Sequence, residues 1–247
     1  MQCKNIRYKC ICSYDGTRYK GFQIQKNGIT IQSEIEKALK KILNNDIKIC
    51  ASGRTDSGVH ALGQVFHFDA DCDIKEYNMK KALNTYLPND IHIISVEKVS
   101  EEFHARYSVI KKEYHYLINL GEYNPIEKDY VYQYPYKNIN RDLLFEASRL
   151  FIGTIDFKSF TKNKDLTDTI RTIYSIDFNY NKDVVEISII GSGFMHNMVR
   201  IIVAMWLEVA RGKISISDLK LILEKKNRKY APKTAPGCGL YLYKVYY

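Results

Sequence analysis

The sequence predicts an α+β fold built from two consecutive β-α-β-β-α-β units with mostly antiparallel sheets. Three observations carry that expectation. The spacing of apolar residues switches repeatedly between two and about 3.6 along the chain. The order of segments before residue 105 recurs after it. The 247 residues, 45% hydrophobic and 26% charged, are enough to form two small cores.

The first six elements follow in order. "NIRYKCICSY" (5–14) is β-branched and aromatic, as a strand should be. Thr30 then stands where an N-cap belongs, and Ile31, Ile35, Ala38, Leu39 and Ile42 fall on one helical face of "TIQSEIEKALKKILN". "DIKICAS" (46–52) and "QVFHFDA" (64–70) read as strands on either side of a loop. "IKEYNMKKALNTYLP" is a helix closed by Pro88, and the strand "IHIISVEKV" (91–99) completes the unit.

The second half restates the pattern. "YSVIKKEYHYLINL" (107–120) is a strand, and "NRDLLFEASRLFIG" is a helix stopped by Gly153. "TIYSIDFNYN" and "DVVEISIIG" form a hairpin turning at Asn181–Asp183. A long apolar helix from Phe194 to Gly212, a shorter one over 216–226 and a closing strand over 239–247 complete it. The expected architecture is therefore two ferredoxin-like, RNA-recognition-like (RRM-like) units. They span residues 1–105 and 106–247, with an active-site cleft expected between them. RNA-recognition domains use this topology, but topology alone gives no function.

Charge narrows the partner. The net charge is +9, split as +2 over residues 1–105 and +7 over 106–247, which favours an anionic partner. The densest basic run, "KKNRKYAPK", is either a solvated face or a phosphate contact through Lys225, Lys226, Arg228 and Lys229. Twenty tyrosines suit wet stacking surfaces, although biased codon usage would supply them equally. The six cysteines show no CxxC spacing or paired metal-ligand pattern, so neither metal nor other cofactor is expected. Cys10 and Cys12, two apart, share one strand face and read as core. Nothing at the N-terminus resembles a signal peptide, and the apolar run Ile201–Leu207 is far short of a membrane span. The expectation is a cytoplasmic chain with reduced thiols and no membrane association.

The loop "GRTDSGVHALGQ" (53–64) is longer than a hairpin needs and carries Arg54, Asp56 and His60. Asp56 reads either as a turn-capping carboxylate or as a nucleophile. A nucleophilic carboxylate in a pocket needs a nearby cation to stay ionised. Arg200 is a candidate, set in a helix apolar on nearly every face, where a guanidinium must reach water or meet an acid. Arg54 reads as a solvated arginine, a phosphate contact, or a side chain that fills the space of an extruded base. Tyr114 alternates with Lys112 and Tyr116 on one strand face, and is either core or a base-stacking platform. His60, His104 and His196 form no metal-ligand spacing.

These residues resemble a known family. "GRTDSGVHALGQVFHF" is similar to the signature loop of the bacterial tRNA pseudouridine synthase A (TruA) family. "YDGTRYKGFQIQ", "FHARYS", "DFKSF", "GFMHNMVRIIV" and "APGCGLYL" resemble further family blocks in the same order, covering essentially the whole chain. The resemblance implies an isomerase that converts uridine to pseudouridine in the anticodon stem-loop of tRNA (tRNA positions 38 to 40). It acts without metal or organic cofactor, as a homodimer. It implies Asp56 as nucleophile, Arg200 as its paired cation, Arg54 as the residue that extrudes the nucleotide, and Tyr114 packing on the uracil. His60, and Arg106 of the "FHARYS" block, join the expected substrate contacts. Departures exist: Ser57 stands where many members have alanine, Cys238 takes a usually polar place, and Glu113 and His115 replace basic flanks of Tyr114. The last change is expected to lower positive charge near the substrate. A ribosomal RNA target or a non-catalytic RNA-binding role are the alternatives.

Overall fold

The computed structural model describes residues 5–136, 138–163 and 165–247. Among these are ten strands and five α-helices, and the chain divides into two compact units. One runs to Ile110 and takes in Tyr241–Tyr247; the other is Lys111–Leu240.

In the first unit β1 (Ile6–Tyr14) lies antiparallel between β3 (His60–Ala70) and β4 (Ile91–Val99). Its alternation is clean: Tyr8, Cys10, Cys12 and Tyr14 are buried, so the two cysteines are core as expected. Helices α1 (Ile31–Leu43) and α2 (Glu76–Tyr86) bury Ile31, Ile35, Leu39, Met79 and Leu83. Each such side chain contributes about 1.5–3 kcal/mol of burial. Thr30 caps α1 as expected, its hydroxyl accepting from Ser33 N–H at 3.2 Å while Ser33 Oγ accepts from Thr30 N–H.

Two strands differ from expectation. β2 is only Cys50–Ala51, because the N–H of Ile49 goes to the Glu36 carboxylate of α1 (3.2 Å) rather than to a ladder. β3 begins four residues early, at His60, because the closing strand β10 (Leu240–Tyr246) pairs with it in parallel, Tyr241 opposite His60 and Leu242 opposite Ala61. The C-terminal strand, expected to close the second unit, thereby joins residues of the first.

In the second unit β5 (Lys111–Asn119) pairs antiparallel with β9 (Val184–Gly191), which pairs with β8 (Ile170–Asn181) and so with β7 (Gly153–Asp156). The β8–β9 turn is where the sequence puts it, with Lys182 at φ 54°. β6 (Tyr132–Gln133), running parallel to β5, and β7 are additions to the expected repeat; both are too short for a periodic signal. The helices are α3 (Arg141–Arg149), α4 (Met198–Ala210) and α5 (Ile216–Lys225). α4 starts four residues later than expected because Asn197 is left-handed (φ 62°) and interrupts the helical path. Eleven of its thirteen residues are buried, with Trp206 edge-on to Phe151 at 5.4 Å. No helix among the described residues is long and apolar enough to cross a membrane.

Candidate active site

The glycine-flanked loop of the first unit is held from beneath by its own neighbours. Ser52 Oγ donates to Gln64 Oε1 (2.7 Å), and Gln64 Nε2 donates to the Gly53 carbonyl (3.0 Å). Tyr14 and Thr55 hydroxyls meet at 2.8 Å, and Val59 N–H closes the turn on the Asp56 carbonyl at 3.2 Å.

The stretch "YDGTRYKGF" (14–22) cradles the loop. Phe22 N–H donates to the Thr55 carbonyl (3.1 Å), and Ser57 Oγ donates to the Tyr19 carbonyl (3.1 Å). Two glycines make the approach possible. A Cβ on Gly16 would lie 2.0 Å from the Val59 carbonyl oxygen. One on Gly21, at φ +85°, would lie 2.8 Å from that of Thr55. Tyr19 is anchored in turn, its hydroxyl on Asp90 at 2.5 Å. A backbone fixed at so many points holds Asp56, which is half-buried, and Arg54, which is exposed, in a set geometry.

His60 lies beneath the loop. It is 2% exposed, its Nδ1 accepts Gly16 N–H at 3.2 Å, and its ring stacks on Tyr241 at 4.8 Å. It is thus part of the cradle. Arg106 is exposed and runs along the ring of exposed Tyr107 at 5.8 Å.

Tyr114 and Arg200 belong to the second unit. Tyr114 faces Ile189 across the β5–β9 ladder, is 8% exposed, and meets Phe194 edge-on at 5.1 Å. Glu113 and His115 alternate onto the opposite face. There the two ring nitrogens of His115 contact Glu186 (2.6 Å) and Glu113 (2.9 Å). Both flanks therefore point away from the face of Tyr114 and engage each other. Arg200 is the third residue of α4. Its Nε donates to the Ala235 carbonyl at 2.7 Å while Ala235 N–H returns to the Arg200 carbonyl at 3.0 Å.

The basic run separates into two kinds. Lys225 and Lys229 are exposed, and Lys226, also exposed, reaches Asp156 at 3.1 Å. Arg228 is half-buried and turns inward onto its own loop.

One cluster escaped the sequence because its members are far apart in the chain. Cys50, His67 and His104 bring ligand-type atoms within 4.8 Å of one another, with Cys50 Sγ 3.6 Å from His104 Nε2. Their hydrogen bonds work against metal ligation. Nδ1 of His67 accepts Ala105 N–H (3.1 Å), and Nδ1 of His104 accepts Arg106 N–H (3.1 Å). In each neutral ring the proton then sits on Nε2, the atom that would have to offer a lone pair. Burial first, then the neighbouring Arg7 and His104, push the His67 pKa down to about 4.

The chain is thus an α+β protein of largely antiparallel strands, with a half-buried carboxylate on a rigidly held loop of its first unit and an aromatic strand in its second. A sequence model of the tRNA pseudouridine synthase family matches residues 11–108 and 147–247. The chain belongs to that family, whose members isomerise uridine to pseudouridine in tRNA. It is 48% identical over 244 residues to tRNA pseudouridine synthase A 1 of Bacillus cereus strain ATCC 14579, covering 98% of each chain. It is 46% identical over 244 residues to tRNA pseudouridine synthase A of Geobacillus sp. strain WCH70, again covering 98% of each. Among solved structures, the archaeal box H/ACA sRNP Nop10–Cbf5 complex aligns at 12% identity with a TM-score of 0.37. That alignment covers 94% of this chain and 58% of that one, and is too distant to carry an argument.

Proposed function

We propose that this chain isomerises uridines of the tRNA anticodon stem-loop, with Asp56 as the nucleophile. In that reading Arg200 is the cation that keeps it ionised, Arg54 helps to extrude the nucleotide, and Tyr114 packs on the uracil. The observation that supports it best is the loop itself. Gln64, Tyr14, Thr55, Gly16 and Gly21 all serve to fix the backbone around one half-buried carboxylate, more apparatus than a turn cap needs.

The reaction breaks the C1′–N1 bond and forms C1′–C5. The proton at C5 leaves and N1 gains one. A carboxylate that attacks the nucleotide, at C1′ or at C6, holds one fragment covalently while the ring turns, dividing one hard step into two. Aromatic and apolar walls keep the detached ring from escaping, and Phe194 gives Tyr114 a fixed orientation. The Tyr114 hydroxyl is the proposed base for the C5 proton. Exposed Lys225 and Lys229 then supply phosphate contacts, and a homodimer in the cytoplasm is the proposed assembly.

Release of tritium from C5-labelled uridine in unmodified tRNA tests the reading. We expect release by the wild type and none above background by Asp56→Ala, with tRNA binding retained. Wild-type-like release by the variant would remove Asp56 from the chemistry. Release only from a ribosomal transcript would keep the chemistry and overturn the substrate. RNA binding without release from either would leave a binding protein.

A further inference from the structure

Arg228 stands in a basic run that reads as either a solvated face or a phosphate contact, yet its guanidinium is turned into the protein. It follows α5 in a short 3-10 turn (Arg228–Tyr230). One terminal nitrogen, Nη2, donates to the carbonyls of Pro232 (3.3 Å) and Lys233 (3.2 Å) and to Thr234 Oγ1 (2.9 Å). All three acceptors are neutral. Its Nε is buried with no hydrogen-bond partner among the described residues, and burial alone pulls its pKa below the usual arginine value. A cation desolvated onto neutral oxygens gives up hydration that no carboxylate returns. As a stabilising contact it is a poor choice, so its role lies in the geometry it imposes.

That geometry leads to Arg200. The residue after Thr234 is Ala235, which is 3% exposed and gripped in both directions: its carbonyl accepts Arg200 Nε, and its N–H donates to the Arg200 carbonyl. The next carbonyl, of Pro236, accepts the hydroxyl of fully buried Tyr116 at 2.7 Å. Tyr116 lies two residues from Tyr114 on the same strand face. One short segment, 232–236, is therefore tied to Arg228 at its start, to Arg200 in its middle and to the Tyr114 strand at its end.

We propose that Arg228 is a positioning residue that fixes segment 232–234 so that the Ala235 carbonyl sets the orientation of the Arg200 guanidinium. This rests on the reading of Arg200 as part of the catalytic set. Arg228 thus acts on turnover, whereas a phosphate contact at the same position would act on tRNA affinity and its salt dependence.

Steady-state kinetics on unmodified tRNA, with tritium release as the assay, distinguish the two. For Arg228→Met we expect kcat to fall by about tenfold or more, the scale of removing one charged hydrogen-bond network, with KM within about twofold. Arg228→Lys, which keeps three donors on a flexible stem, should recover part of the loss. In an Arg200→Lys background Arg228→Met should cost little further, since it acts through the residue already changed. If Arg228→Met does not fold by circular dichroism, Thr234→Val decides the matter. It removes one acceptor without changing shape and should lower kcat in the same direction.

Unchanged kcat with raised KM and a shallower salt slope would overturn the proposal in favour of a phosphate contact. Losses that multiply in the double variant would also overturn it. Wild-type kcat in Arg200→Lys alone would remove the catalytic reading of Arg200 and this proposal together. Release by the wild type in the same assay keeps either outcome separate from a failure of the enzyme assignment.

Discussion

His67 is buried and sits beside Arg7 and His104, so it resists protonation in the folded chain, where its Nδ1 accepts the Ala105 N–H. An unfolded chain has no such resistance and takes up a proton at about 6.5, the ordinary histidine value. The unfolded state therefore binds more protons between that value and about 4, and the folded state loses stability as pH falls through this window. Asparagine can keep an acceptor for Ala105 N–H but cannot titrate. Denaturant unfolding measured from pH 7 to pH 4 should show a flatter stability profile for His67→Asn than for the wild type. Parallel profiles would mean that His67 carries none of the acid sensitivity.

Segment 14–22 and the loop that carries Asp56 form one element, and Gly21 is where it is most demanding. With φ +85° and a Cβ that would meet the Thr55 carbonyl at 2.8 Å, Gly21→Ala adds backbone strain of about 1–3 kcal/mol and a steric conflict. Thermal unfolding should register the strain, and kcat should fall because the loop at Asp56 moves; a variant with full kcat would show that the loop tolerates the shift. At this scale the sequence was legible where the signal was local. The cap at Thr30, the face Ile31–Ile35–Leu39, the β8–β9 turn and the GRTD loop all lie in continuous stretches. What it hid depends on distant partners. β2 was cut short by Glu36, the start of α4 by the left-handed Asn197, and Arg228 was drawn inward by carbonyls of its own loop. The Cys50–His67–His104 cluster joins three segments no motif connects.

For the molecule as a whole, charge sets the encounter with RNA. Residues 106–247 carry +7 of the net +9, and Lys225 and Lys229 stand exposed on that half. Replacing both with glutamine should reduce the slope of log affinity for tRNA against log salt by about two, one for each phosphate no longer neutralised. An unaltered slope would place the tRNA backbone elsewhere on the surface.

The ladder between Tyr241–Leu242 and His60–Ala61 also has a temporal meaning. The hydroxyl of Tyr247 donates to the Ala105 carbonyl at 2.6 Å, so residues 241–247 are built into the unit formed by residues up to Ile110. A chain emerging from the ribosome N-terminus first can pair β1 to β4 early, but the His60–Ala61 end of one β3 edge waits for the closing strand to be synthesised. The unit that carries Asp56 begins to form before residues 111–240 exist and is completed only after them. A nascent chain that stops before Tyr241 leaves His60 and Ala61 unpaired on that edge.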